Sequence, residues 1–195
     1  MYTIGMETLA KLFGSETKVK IMRLFLFNPD TTFTSSEIAE RAKADPAKVR
    51  RELGNIDKMG LIKRKTKGGH KAFVLDTQFP YMLPLQNFLV GIEPLHPKDI
   101  IKKISRLGII KLIVIAGVFI QEPESRADLL IVGDHVKRAN LESTIKLIES
   151  ELGKELRYAY FTTEDFKYRL SMFDKLTRDI LDYPHKKVLN RLPNI

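Results

Sequence analysis

The chain of 195 residues contains no cysteine. That absence excludes disulfides, thiolate metal sites and cysteine nucleophiles. No run of roughly 18 uncharged apolar residues occurs either, so no membrane-spanning helix is expected. The opening residues MYTIGMETLAKLFGSE lack a basic segment, a continuous apolar stretch and a small-residue cleavage site. A secretory signal is therefore not expected, and the chain reads as a soluble, cytoplasmic protein. Histidine is scarce: His70, His96, His135 and His185 have neither HxxxH nor HExxH spacing, so no metal site is expected from them. Low-complexity tracts and internal repeats are missing as well. Among the charges, acids are the minority, with 24 Asp+Glu against 33 Lys+Arg and a net charge of +9. What is present is a hydrophobic fraction of 44%, enough to bury a core in one ordinary domain or two small ones.

The positive charge is concentrated. Between Arg41 and Lys71 stand eleven Lys/Arg against three acids, Asp45, Glu52 and Asp57, a net +8 in 31 residues. Such a field attracts polyanions and raises encounter rates with them. A solvated charged face would carry the same count, so local structure has to decide.

In ETKVKIMRLFLFN (16–28), Val19, Met22, Leu24, Phe25 and Phe27 form an apolar stripe at helical spacing, and Asn28-Pro29-Asp30 ends it. Thr34-Ser35-Ser36-Glu37 offers capping groups for a second helix that buries Ile38, Ala39 and Ala42. Asp45-Pro46 opens a third, a capping carboxylate followed by proline at the first helical position. There Val49, Leu53 and Ile56 recur at i, i+4 and i+7, and Lys48, Arg51, Asn55 and Lys58 fall largely on the other side. Two extended runs around Gly68-Gly69 then read as a β-hairpin. Three helices followed by a basic hairpin predict a winged helix-turn-helix.

The run VRRELGNIDKMGLIKRKTKGGHKAFVL also resembles the recognition-helix and wing region of MarR/ArsR-type regulators. A recognition helix enters the major groove with its N-terminal residues at the base edges. Here those are Ala47, Lys48, Arg50 and Arg51, with Asn55 one turn on. Arginine grips guanine O6/N7 in bidentate fashion, and asparagine does the same for adenine. Lys65, Lys67, His70 and Lys71 on the wing would meet phosphate or an adjacent minor groove. Glu52 fits neither role. A winged helix used for protein contact is the competing reading.

The stretch QFPYMLPLQNFLV (78–90) is rich in apolar and aromatic residues and suits a helix packed across a dimer partner, between domains, or simply as a connector. Glu93-Pro94-Leu95-His96-Pro97 reads as a linker. This divides the chain near residue 90, into a DNA-binding domain at 1–88 and a second domain at 91–195. Beyond it are expected a helix from Pro97 to Gly108, strands at Ile109–Val118 and Ala127–Gly133, a helix at Leu141–Gly153 and a strand at Leu156–Thr162. A helix capped at Thr163 follows, and Phe173 to Leu192 is expected to continue helical, interrupted at Pro184. The fold class expected is α+β, the winged helix followed by a small α/β domain with a mixed sheet.

The order of IAGVFIQEPESRADLLIVGD, ELGKELRYAYFTTEDFKYRL and DYPHKKVLNRL resembles the minimal nucleotidyltransferase domain of the polymerase-β-like superfamily. That resemblance implies a Gly-Ser pair holding a triphosphate, and an Asp-x-Asp pair with a third carboxylate binding two Mg²⁺ ions. On this chain Gly117 stands at the glycine, but Val118 stands at the serine. Arg126 stands at the first acid, Asp128 at the second and Arg157 at the third. Arg126 and Asp128, two apart on a strand, are expected to be neighbours. A guanidinium offers a metal no lone pair. No catalytic residue, metal or cofactor is therefore expected.

Two readings of the remnant stand. Either the arginines pair with Asp128 and the domain dimerises or packs, or they keep a site for a nucleotide or other anionic effector. The expectation for the whole chain is a homodimeric transcriptional regulator of duplex DNA, without a membrane partner. The alternative is a metal-dependent nucleotidyltransferase acting on RNA or a protein partner. The Asp134-His135 pair is explained by a turn at a strand end.

Overall fold

A computed structural model describes residues 5–90, 95–122 and 124–193. The chain is α+β and groups into two compact units, Met1–Leu95 with Lys146–Glu155, and His96–Ile145 with Leu156–Ile195. The divide expected near residue 90 thus falls after Leu95, and a ten-residue piece of the later sequence belongs with the first unit. Part of the linker reading, Glu93-Pro94, lies outside the described residues.

The first unit runs α1 (Met6–Phe13), α2 (Glu16–Phe27), β1 (Phe33–Thr34), α3 (Ser35–Ala42), α4 (Pro46–Lys58), β2 (Ile62–Lys67), β3 (His70–Leu75) and α5 (Met82–Leu89). Gly14, at φ 76, breaks α1 from α2, and the Ser15 hydroxyl caps α2 by accepting from Lys18 N–H. Thr34 does two jobs: its backbone pairs with Ala72 in the sheet, and its side chain caps α3. The cap is a reciprocal box, with Thr34 Oγ1 accepting from Glu37 N–H and Glu37 Oε2 accepting from Thr34 N–H at 2.7 Å. Asp45 Oδ1 accepts from Ala47 and Lys48 N–H at the start of α4, as the Asp-Pro signal predicts.

The three strands pair antiparallel in the order β1-β3-β2. Gly68 and Gly69, at φ 55 and 77, form the two-residue turn in which both positions need positive φ. Val49, Leu53 and Ile56 of α4 enter one core with Val19, Met22 and Phe25 of α2. Burying side chains of this size contributes about 1.5–3 kcal/mol each. The connector forms α5 and lies on α2, with Gln86 Nε2 donating to Leu26 O and the Phe88 ring 6.2 Å from Phe13.

Arg23 explains why residues 146–155 join this unit. It is 2% exposed; Nε donates to Leu89 O (3.1 Å) and Nη1 to Glu151 O (2.9 Å). The guanidinium therefore meets the C-terminal ends of two helices, where backbone carbonyls lack helical partners and favour a cation. Burial pulls its pKa down to about 10, so it stays charged at neutral pH. Next to it Asn28 Nδ2 donates to Gly153 O (2.9 Å).

The second unit contains α6 (Pro97–Ile104), β4 (Ile109–Ile115), a 3₁₀ turn (Gly117–Phe119), β5 (Leu129–Asp134), the start of α7 (Arg138–Leu152), β6 (Tyr158–Phe161), α8 (Thr163–Ser171), α9 (Lys175–Leu181) and β7 (Lys186–Asn190). Its mixed sheet has the order β6-β5-β4-β7, with only β5 and β6 parallel. Of the helical stretch expected from Phe173 to Leu192 with an interruption at Pro184, only α9 before the proline is formed. Pro184 ends the helical region, and the residues beyond it pair antiparallel with the otherwise free edge of β4, through Ile113↔Leu189 and Ile115↔Lys186. Sequence spacing makes Pro184 an interruption of a helix, but it carries no sign of the strand edge that recruits the residues after it. Among the described residues, no helix is long and apolar enough to cross a membrane.

Candidate nucleic-acid interface

Burying Val49, Leu53 and Ile56 turns the opposite side of α4 outward. Lys48, Arg50, Arg51 and Asn55 are all exposed there. So is Gly54, whose missing Cβ has open space around it. Lys65, Lys67, His70 and Lys71 are exposed on the β2–β3 hairpin. The sequence-derived candidates thus lie on two neighbouring elements of one unit.

Their charges are not equally available. Arg51 Nη2 lies 3.3 Å from Glu52 Oε1, and Asn55 Nδ2 donates to Glu52 Oε2 at 3.2 Å. Lys67 Nζ is held by Glu37 Oε1 (2.7 Å) and Thr32 O (3.2 Å). Lys71 Nζ sits over the Phe73 ring. Arg64 pairs with Asp57 and Lys63 with Asp76. Among the described residues, no carboxylate lies within ion-pair distance of Lys48, Arg50, Lys58 or Lys65. These four, with Lys71, are cations that a polyanion meets without displacing a carboxylate.

Glu52, which fits no role read from the sequence, is 3% exposed. Burial raises its carboxyl, but hydrogen bonds from Asn55, Ser15 and Arg51 and the charge of Lys18 more than offset this, leaving it below the usual range. It fixes two candidate base-reading side chains, Arg51 and Asn55, to the root of α2. The signal is present in the spacing, since position 52 is the i+3 slot of the stripe begun by Val49.

In the second unit, the residues that the sequence resemblance aligns with a nucleotide site are arranged differently from the expectation. Asp128 is 1% exposed. Its Oδ1 accepts from Val118 N–H (2.9 Å) and from Arg157 Nη2 (3.2 Å); Oδ2 accepts from Arg157 N–H (2.9 Å) and Arg157 Nε (3.2 Å). Gly117, at φ 50, brings its Cα so close that a Cβ there would collide with the Asp128 carboxylate. Arg126 is not the neighbour of Asp128 that strand alternation implies. β5 begins only at Leu129, and Arg126 Nε pairs with Asp179 Oδ2 at 3.0 Å. Gly133 and Asp134 are the last residues of β5, the chain bends at His135 (φ 58), and Asp134 accepts from Thr163 Oγ1–H and N–H, which hold its carboxyl below the usual range. Among the described residues, no group of three or more His, Asp or Glu side chains is arranged to hold a metal ion.

Comparison with family models, with curated proteins and with solved structures returns no match.

Proposed function

We propose that this chain is a sequence-specific, duplex DNA-binding transcriptional regulator. The observation that carries the reading is the outward face of α4, where Lys48 and Arg50 stand exposed and unpaired in the helix's first turns beside a basic hairpin. The order α2-β1-α3-α4-β2-β3 with a β1-β3-β2 sheet supports a winged helix-turn-helix reading, with α4 as the recognition helix. Lys48, Arg50, Arg51 and Asn55 then face base edges, and Lys65, Lys67, His70 and Lys71 face phosphates. A homodimer reads two half-sites, because paired modules multiply a modest single affinity.

The second unit is a nucleotidyltransferase-like domain without catalysis, serving dimerisation or regulation. Four hydrogen bonds from Val118 and Arg157 already take both oxygens of Asp128, and Arg126 is engaged by Asp179. This favours a packing role over an anion or nucleotide effector site, and calorimetric titration with ATP and GTP in Mg²⁺ separates the two.

The deciding experiment is selection of bound fragments from a random duplex library at about physiological salt, where non-specific attraction is screened. A recovered palindrome is expected. No enrichment, with binding that vanishes as salt rises, overturns the reading. Within a recovered site, Arg50→Ala should alter base preference. Lys65→Ala should weaken all sequences alike and reduce the salt slope by about one.

A further inference from the structure

Twelve large apolar side chains stand exposed among the described residues, and five of them fall between residues 168 and 183: Tyr168, Met172, Phe173, Leu176 and Tyr183. Four of the five lie on α8, α9 or the tight turn that joins them.

Two residues of that turn occupy positions that local structure disfavours. Phe173 follows the C-cap of α8 with φ 52, and Asp174 N–H closes back on Arg169 O at 2.9 Å. This is the left-handed position after a helix that glycine usually fills, because an L side chain is strained there. The other non-glycine residues described with positive φ are Lys43, Gln121 and His135, all polar. Phe173 is the apolar exception, and its ring is 74% exposed, so no packing offsets the strain. Lys175 is the first residue of α9, a cation at the positive end of the helix dipole. Two neighbouring violations of local preference mark a place kept for a task other than folding.

The charge around the turn that carries Phe173 is positive. The carboxylates from the turn onward are each taken by an arginine: Asp174 by Arg169 (3.2 Å), Asp179 by Arg126 (3.0 Å) and Asp182 by Arg178 (3.1 Å). Exposed Lys167 and Lys175 flank Tyr168 and Phe173, and among the described residues no carboxylate lies within ion-pair distance of either. The acids Glu164 and Asp165 lie in the first turn of α8, four and three residues before Tyr168 and on its side of the helix, so the cationic surroundings are those of Phe173 and the turn.

We propose that the α8–α9 turn docks single-stranded nucleic acid. Tyr168 and Phe173 receive the faces of unpaired bases, and Lys167 and Lys175 receive the adjoining phosphates. Stacking on exposed rings beside cations is the recurring chemistry of such surfaces. A duplex hides its base faces, and a symmetric contact with a second copy would set these lysines against themselves. The proposal does not depend on duplex reading by α4, which uses other residues.

The test is fluorescence anisotropy of the full chain with a labelled oligothymidylate of about twelve nucleotides. Tyr168→Ala and Phe173→Ala should each weaken binding about tenfold or more. Lys48→Ala with Arg50→Ala should weaken it by no more than the loss of two general phosphate attractions, without the tenfold effect of either ring. Phe173→Gly is the sharper variant: it removes backbone strain and should raise Tm while weakening binding. A fall in Tm for Phe173→Gly would make the ring structural and overturn the proposal. So would unchanged affinity when the rings are removed, or a dimer that becomes monomeric on ring loss with oligothymidylate binding intact. Ring-dependent binding to phosphatidylserine vesicles with none to oligothymidylate would also overturn it, in favour of a membrane surface.

Discussion

Arg157 reaches Asp128 by two routes, its own backbone N–H to Oδ2 at 2.9 Å and its guanidinium to both oxygens at 3.2 Å. One residue thus supplies three of the four donors that hold a carboxylate buried to 1%. A buried carboxylate with all its acceptor sites engaged is stable in place, whereas removal of a partner exposes the cost of burying its charge.

Asp128→Ala should therefore cost about 2–4 kcal/mol in urea denaturation, because the Val118 and Arg157 N–H groups and the guanidinium all lose their acceptor. Arg157→Ala should cost less, about 1–2 kcal/mol, since two backbone donors remain and the side chain is half-exposed. The double variant should show a coupling of about 1 kcal/mol or more. Additive effects would mean that the pair does not act as a unit.

This pair also shows what sequence could reach. Gly117, Asp128 and Arg157 are found together because a turn, a strand start and a neighbouring strand bring their positions together whatever side chains occupy them. The partner of Arg126 was not legible. Asp179 comes from a later helix, and nothing in strand alternation announces it. In the first unit, α4 was fully legible because its cap, its proline and its apolar spacing agree. α1 and β1 were not: α1 is eight residues, and β1 is two residues whose pairing with β3 depends on chain folded later. β7 escaped for the same reason, since its partner edge exists only once β4 is in place.

Glu37 should give the first unit a measurable acid sensitivity. Its carboxyl is held down to about 2, chiefly by the Lys67 ammonium and next by Thr34 N–H, from an ordinary value of 4.5. A carboxyl lowered in the folded state adds stability above its unfolded value and gives it up as pH falls through the folded one. The contribution should fade between about pH 4.5 and pH 2. Lys67→Met should reduce stability at neutral pH by less than about 1 kcal/mol, the pair being partly exposed, and the loss should all but vanish by pH 2. Thermal melts across that range check the sign. An equal loss at both ends would remove the charge pair as the cause.

Two glycines with left-handed backbones should answer alanine very differently. Gly14 (φ 76) has nothing within 4 Å of the place a methyl group would take, so Gly14→Ala should cost only the backbone strain, about 1–2 kcal/mol. Gly153 (φ 87) would place a Cβ 2.6 Å from the Arg23 carbonyl carbon, against backbone that cannot yield cheaply. Gly153→Ala should cost well over about 3 kcal/mol. Similar costs at the two positions, measured by chemical denaturation, would show that the chain after α7 does not approach α2 this closely.

The acceptors that satisfy Arg23 and Asn28, Glu151 O and Gly153 O, come from more than a hundred residues downstream. The segment ending at Leu95 is therefore not a portable module. Cut free there, it would carry a buried guanidinium and an amide facing absent carbonyls, and its apolar interior would begin to open at α2, the helix on which α4 rests. Any graft of this first unit onto another protein must bring residues 146–155 with it, or supply substitute acceptors. In evolutionary terms the two halves can no longer be shuffled as separate pieces: a break at the linker severs the later chain from a place that only it fills.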